Sequence, residues 1–87
     1  MAQVGRVLLR RQPNAPPYVV LRERLIAARK ASGLSQEAVA QMIGRPQSFV
    51  AKVERGERSL DVVEFIAISR VVGLDVVDMS RAVAAKL

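Results

Sequence analysis

The chain has 87 residues, 14 of them Lys or Arg against 8 Asp or Glu, giving a formal charge of +6, and it contains neither His nor Cys. This length supports at most one compact domain with a small core. The missing imidazole and thiol remove disulfides, thiol nucleophiles, zinc sites of the usual kind and imidazole proton transfer, so a conventional enzyme is not expected and no cofactor is implied.

Residues 1–18 carry Arg6, Arg10 and Arg11 and no acid. The apolar run from Val4 to Leu9 is broken by Gly5 and Arg6, too short for a secretory leader, and reads either as an edge strand or as a basic arm. No apolar run in the chain approaches the roughly 18 residues of a membrane span, so a cytoplasmic chain without a membrane partner is expected. Gln12 to Pro17 holds three prolines, which lack the amide donor and push their predecessors out of helical geometry. That divides the chain into a basic arm with a Pro-rich linker over residues 1–18 and a folded domain over residues 19–87.

Five helices are expected in the second part, with no strand after residue 18. Leu21, Leu25 and Ala28 recur at helical spacing among basic residues, and Gly33 ends that helix. Ser35 can cap a second helix, with Glu37 favourable against its dipole, Val39, Ala40 and Ile43 on its apolar side and Gly44 at its end. Pro46 suits the start of a third helix that buries Val50 and Val53 and stops at Gly56. Ser59 or Asp61 opens a fourth, apolar nearly all round from Val62 to Val72, which places it centrally in the core or against a partner. After Gly73, Asp75 can cap a fifth helix striped by Val76, Met79 and Val83.

Charge follows this order. Residues 19–60 carry eight bases against four acids, whereas residues 61–87 carry three bases against four acids. A basic front and an apolar, slightly acidic back suit a chain that meets a polyanion on one side and protein on the other.

The second and third helices are joined around one glycine, too little loop for an antiparallel pair, so they must cross steeply as in a helix-turn-helix. Within Gln36 to Arg55, a small residue at Ala40 allows close approach and Gly44 can take positive φ. Branched residues at Val50 and Val53 then seat the third helix. Its opposite face presents Gln47, Ser48, Ala51 and Lys52. An amide can pair with adenine, a lysine with guanine O6 and N7, and a hydroxyl with several base edges. Arg45, Arg55 and Arg58 flank this face as candidate phosphate ligands.

The stretch Ser35-Gln-Glu-Ala-Val-Ala-Gln-Met-Ile-Gly-Arg-Pro-Gln-Ser-Phe-Val-Ala-Lys-Val-Glu-Arg-Gly-Glu-Arg resembles the lambda-repressor-like (Xre/Cro) helix-turn-helix family, with similarity from about Leu21 to Val83. The resemblance implies an all-α, five-helix DNA-binding domain acting as a homodimer on a two-fold operator. It also implies phosphate binding by Gln36, base contacts by Gln47, Ser48 and Lys52, and a buried ion pair between Arg29 and Glu54. Two positions depart from the pattern. Pro46 replaces a small polar capping residue, and Phe49 is larger than many residues at its place, so it either touches a thymine methyl or packs inward. The expected function is a sequence-specific double-stranded-DNA regulator, a repressor dimeric through its fourth and fifth helices. An antitoxin bound to a toxin, a protein-interaction adaptor and an RNA binder are the competing readings, the last disfavoured by one Tyr and two Phe for base stacking.

Overall fold

The computed structural model describes Gly5 and residues 12–87. Five α-helices form: α1 (Pro16–Ala31), α2 (Gln36–Ile43), α3 (Gln47–Glu54), α4 (Val62–Val71) and α5 (Val76–Ala84). The described residues contain no strand. The strand-or-arm reading of Val4 to Leu9 and the expected arm arginines Arg6, Arg10 and Arg11 lie, Gly5 apart, outside the described residues.

Helix α1 starts inside the segment read as a linker. Pro16 and Pro17 occupy its first turn, where the absent amide donors have no intrahelical acceptor to lose and the fixed φ already suits a helix. Its far end is tied down when Ser32 Oγ donates to the Val72 carbonyl at 2.9 Å, joining the exits of α1 and α4.

Side chains from every helix meet in one core. Leu25 of α1, Val39 and Ala40 of α2, Val50 and Val53 of α3, Ile68 of α4 with Val72 just beyond it, and Met79 of α5 are all buried. Leu21, Ala28, Ile43 and Phe65 pack around them. Of the two candidate openings of α4, Asp61 is the cap. Its side chain accepts from the Glu64 N–H at 2.7 Å, while the Glu64 carboxylate accepts from the Asp61 N–H at 2.9 Å, a reciprocal capping box. The apolar circumference of α4 divides: Ile68 faces the core, whereas Val62 and Val63 are 69% and 71% exposed. Among the described residues no helix is long and apolar enough to cross a membrane.

Candidate nucleic-acid interface

The geometry of α2 and α3 begins at the turn between them. Ser35 Oγ caps α2 by accepting from the Ala38 N–H at 3.0 Å. At the other end Gly44 takes φ +69°, a left-handed conformation that glycine reaches without steric cost. The Gly44 and Arg45 amides then donate to the Gln41 and Ala40 carbonyls, satisfying groups that the helix end would leave open. Pro46 precedes α3 without any side-chain cap. With Ala40 buried at the crossing, the two helices approach closely and the orientation of α3 is set.

That orientation turns Gln47, Ser48 and Lys52 outward and Val50 and Val53 inward. Ala51, expected on the outer face, is buried instead. Phe49 packs inward and is buried, which settles the alternative left by its size.

Two polar networks hold this face. In the first, Arg29 Nε donates to Glu54 Oε2 at 2.6 Å and Arg29 Nη2 to Glu54 Oε1 at 3.0 Å, with the two side chains only 12% and 11% exposed. Arg29 Nη1 adds a bond to the Leu34 carbonyl at 2.8 Å. Gln36 Nε2 donates to Glu54 Oε1, and Gln47 Nε2 donates to Gln36 Oε1, each at 2.8 Å. A chain of hydrogen bonds thus runs from α1 to the first residue of α3.

The second network centres on Glu64, 8% exposed in the first turn of α4. Besides the Asp61 amide, its carboxylate accepts from Arg58 Nη1 at 3.2 Å, Arg58 Nη2 at 3.1 Å and Arg45 Nη2 at 3.3 Å. Both guanidinium groups also lie over the Phe49 ring, with Cζ 4.8 Å (Arg58) and 5.6 Å (Arg45) from its centroid, within cation–π range. Arg55 pairs with Glu57 at the surface. The expected phosphate ligands Gln36, Arg45, Arg55 and Arg58 therefore all have protein partners, and they lie before, beside and after the outward face of α3.

Glu64 is the functional candidate that motif reading misses. The Asp61-x-x-Glu64 spacing signals a cap, but nothing in the linear order signals that two arginines, one before α3 and one after it, converge on the same carboxylate.

Hydrogen bonding from the Asp61 amide, reinforced by Arg58 and Arg45 and opposed by burial, holds the Glu64 carboxyl below the ordinary glutamate range. A carboxyl whose folded pKa is depressed contributes stability that is present above the unfolded value, about 4.3, and lost as pH falls through the folded value. Urea midpoints measured from about pH 7 to about pH 3 should accordingly drop below about pH 4.3, and Glu64→Gln should flatten that drop. An equally steep fall in the variant would assign the acid sensitivity to other carboxylates. Glu57 is depressed as well, by its hydrogen bond from Arg55, but that pair is exposed and water and salt weaken its contribution.

Two short helices packed together across the Gly44 turn, with an outward polar face on the second, inside a five-helix core, define a helix-turn-helix domain. The helix-turn-helix family model matches residues 25–79, well over half of the chain. An XRE-family like protein from Pseudomonas syringae pv. tomato str. DC3000 has a solved structure similar to this one, with 42% sequence identity, a TM-score of 0.74, and coverage of 79% of this chain and 84% of that one. No curated protein matches the chain. The protein belongs to the XRE-type helix-turn-helix family of DNA-binding regulators.

Proposed function

We propose that the protein is a sequence-specific double-stranded-DNA-binding transcription regulator that works without catalysis in the cytoplasm, as a dimeric repressor occupying a two-fold operator. The observation that carries this reading is the sorting of α3. Phe49, Val50 and Val53 face inward while Gln47, Ser48 and Lys52 face outward, so the side chains able to read base edges share one rigid helix face. Gln36, Arg45, Arg55 and Arg58 border that face and supply amide and guanidinium donors for phosphates.

Dimerisation is assigned to α4 and α5. Val62, Val63, Ile66 and Val77 are exposed there, beside an apolar groove of about 370 Å³ lined by Leu21, Leu60, Phe65, Val83 and Leu87. A second copy covering this surface would place two recognition helices about 34 Å apart, one turn of DNA.

Selection of bound sequences from a random duplex pool tests both parts. A two-fold-related pair of half-sites is the expected outcome; a single half-site would remove the dimer, and no enrichment would remove sequence reading. On the selected duplex, Gln47→Ala or Lys52→Ala should weaken binding by about 1–3 kcal/mol and relax the choice at one position. Arg55→Ala should instead weaken selected and random duplex alike.

A further inference from the structure

We infer that Glu64 is the positioning residue of the phosphate-binding edge: its carboxylate holds Arg45 and Arg58 against Phe49 as a preformed pair of phosphate ligands bracketing the recognition helix. This rests on the reading that α3 docks on duplex DNA. Arg45 lies in the turn before α3 and Arg58 in the loop after it, 13 residues apart in the chain. One carboxylate oxygen, Glu64 Oε2, accepts from both. The Phe49 ring, buried in the first turn of α3, gives the guanidinium groups a common surface to rest on.

The carboxylate is enclosed and the arginines are not: Arg45 and Arg58 remain 49% and 44% exposed against 8% for Glu64. Arg45 uses Nη2 on Glu64, leaving Nε and Nη1 for another acceptor, and Arg58 commits both Nη groups while Nε remains. Arginine carries five donors in a planar fork suited to phosphate, and holding that fork in place beforehand lowers the entropy lost on binding. The trio of two guanidinium groups and one carboxylate keeps a net charge of +1 on the side facing the ligand.

The sign of the Glu64 effect is diagnostic. Removing a negative charge next to DNA strengthens binding by electrostatics alone. If the carboxylate positions the arginines, removing its charge weakens binding instead. Glu64→Gln suits the test because glutamine at this place still completes the capping box. The probe is a random-sequence duplex of about 30 base pairs, titrated between about 50 and 200 mM salt, since phosphate contacts do not depend on sequence. Glu64→Gln should raise Kd about tenfold, the loss of roughly one charge-assisted hydrogen bond, and should make the dependence of log Kd on log salt shallower by about one contact. The double variant Arg45→Ala/Arg58→Ala should make it shallower by about two, and adding Glu64→Gln to that background should leave Kd unchanged or lower it, because only the electrostatic effect of the carboxylate then remains.

An unchanged or lower Kd in Glu64→Gln overturns the inference, as does a loss of binding that persists undiminished in the background lacking both arginines, which marks a structural role only. Should Glu64→Gln fail to fold, the double variant decides alone: a salt dependence equal to the wild type's overturns the inference. If the wild-type protein binds no duplex even at about 50 mM salt, the DNA reading itself fails and the inference falls with it. Wild-type binding with an insensitive Glu64 removes the inference and leaves the DNA reading standing.

Discussion

Glu54→Ala should lower the unfolding free energy by about 3 kcal/mol, measured as a shift of the urea midpoint at unchanged slope. The figure follows from what would remain. Glu54 receives two bonds from Arg29 and one from Gln36, and its removal leaves a guanidinium that is only 12% exposed with a single acceptor, the Leu34 carbonyl. An uncompensated charge at that depth costs more than the pair contributes when intact, because desolvation offsets much of the attraction in the intact pair. Replacing both partners by apolar residues, Arg29→Met with Glu54→Leu, should therefore restore much of the lost stability. It should not restore recognition. Gln36 would still lack its carboxylate acceptor, and Gln47, which rests on Gln36, would lose the bond chain that orients it. Near-native stability with relaxed base choice is the expected signature of the double variant. A loss below about 1 kcal/mol in Glu54→Ala would show that water already satisfies Arg29 in the folded protein.

The α2–α3 pair was legible in the sequence because each of its requirements is local. Ser35 caps the helix it precedes, Gly44 supplies a positive φ where it stands, and the spacing of Val50 and Val53 marks the inward side of α3. The outward trio of Gln47, Ser48 and Lys52 follows by subtraction. Ala51 shows where subtraction stops working, since helical phase gives a direction and says nothing about how much of a small side chain the surrounding chain covers. Pro16 and Pro17 show a second limit. Proline breaks a helix it interrupts and favours a helix it begins, and which applies depends on the residues that follow. Helix α1 accordingly begins at Pro16, inside the stretch whose prolines read as a linker. Glu64 exposes the third limit. Its partners stand 19 and 6 residues away, and their convergence depends on the angle at which α4 leaves the α3 loop, which no periodicity encodes. The Arg29–Glu54 pair, 25 residues apart, was accessible only through family resemblance, for the same reason.

Met79→Ala should cost about 2–5 kcal/mol, a large share of the roughly 5–15 kcal/mol available to a domain of ordinary stability. Met79 is among the largest fully buried side chains in the described residues, and it is the one core residue contributed by α5. Helix α5 packs against α1 and α4 and makes its main contacts there, away from α2 and α3. Truncation should thus loosen the α5 docking while leaving the α2–α3 crossing and both polar networks in place. Met79→Leu conserves most of the volume and should cost less than about 1.5 kcal/mol, separating lost packing from any special role of the thioether. The consequence for function comes through association. Val77 stands two residues from Met79 and is exposed, so a loosened α5 would present its outer face poorly to a second copy. In a dimer that forms through α4 and α5, Met79→Ala should flatten the dependence of thermal stability on protein concentration and weaken binding to a two-fold site more than to a single half-site. Equal losses on both duplexes would place the dimer contact elsewhere and leave Met79 as a core residue alone.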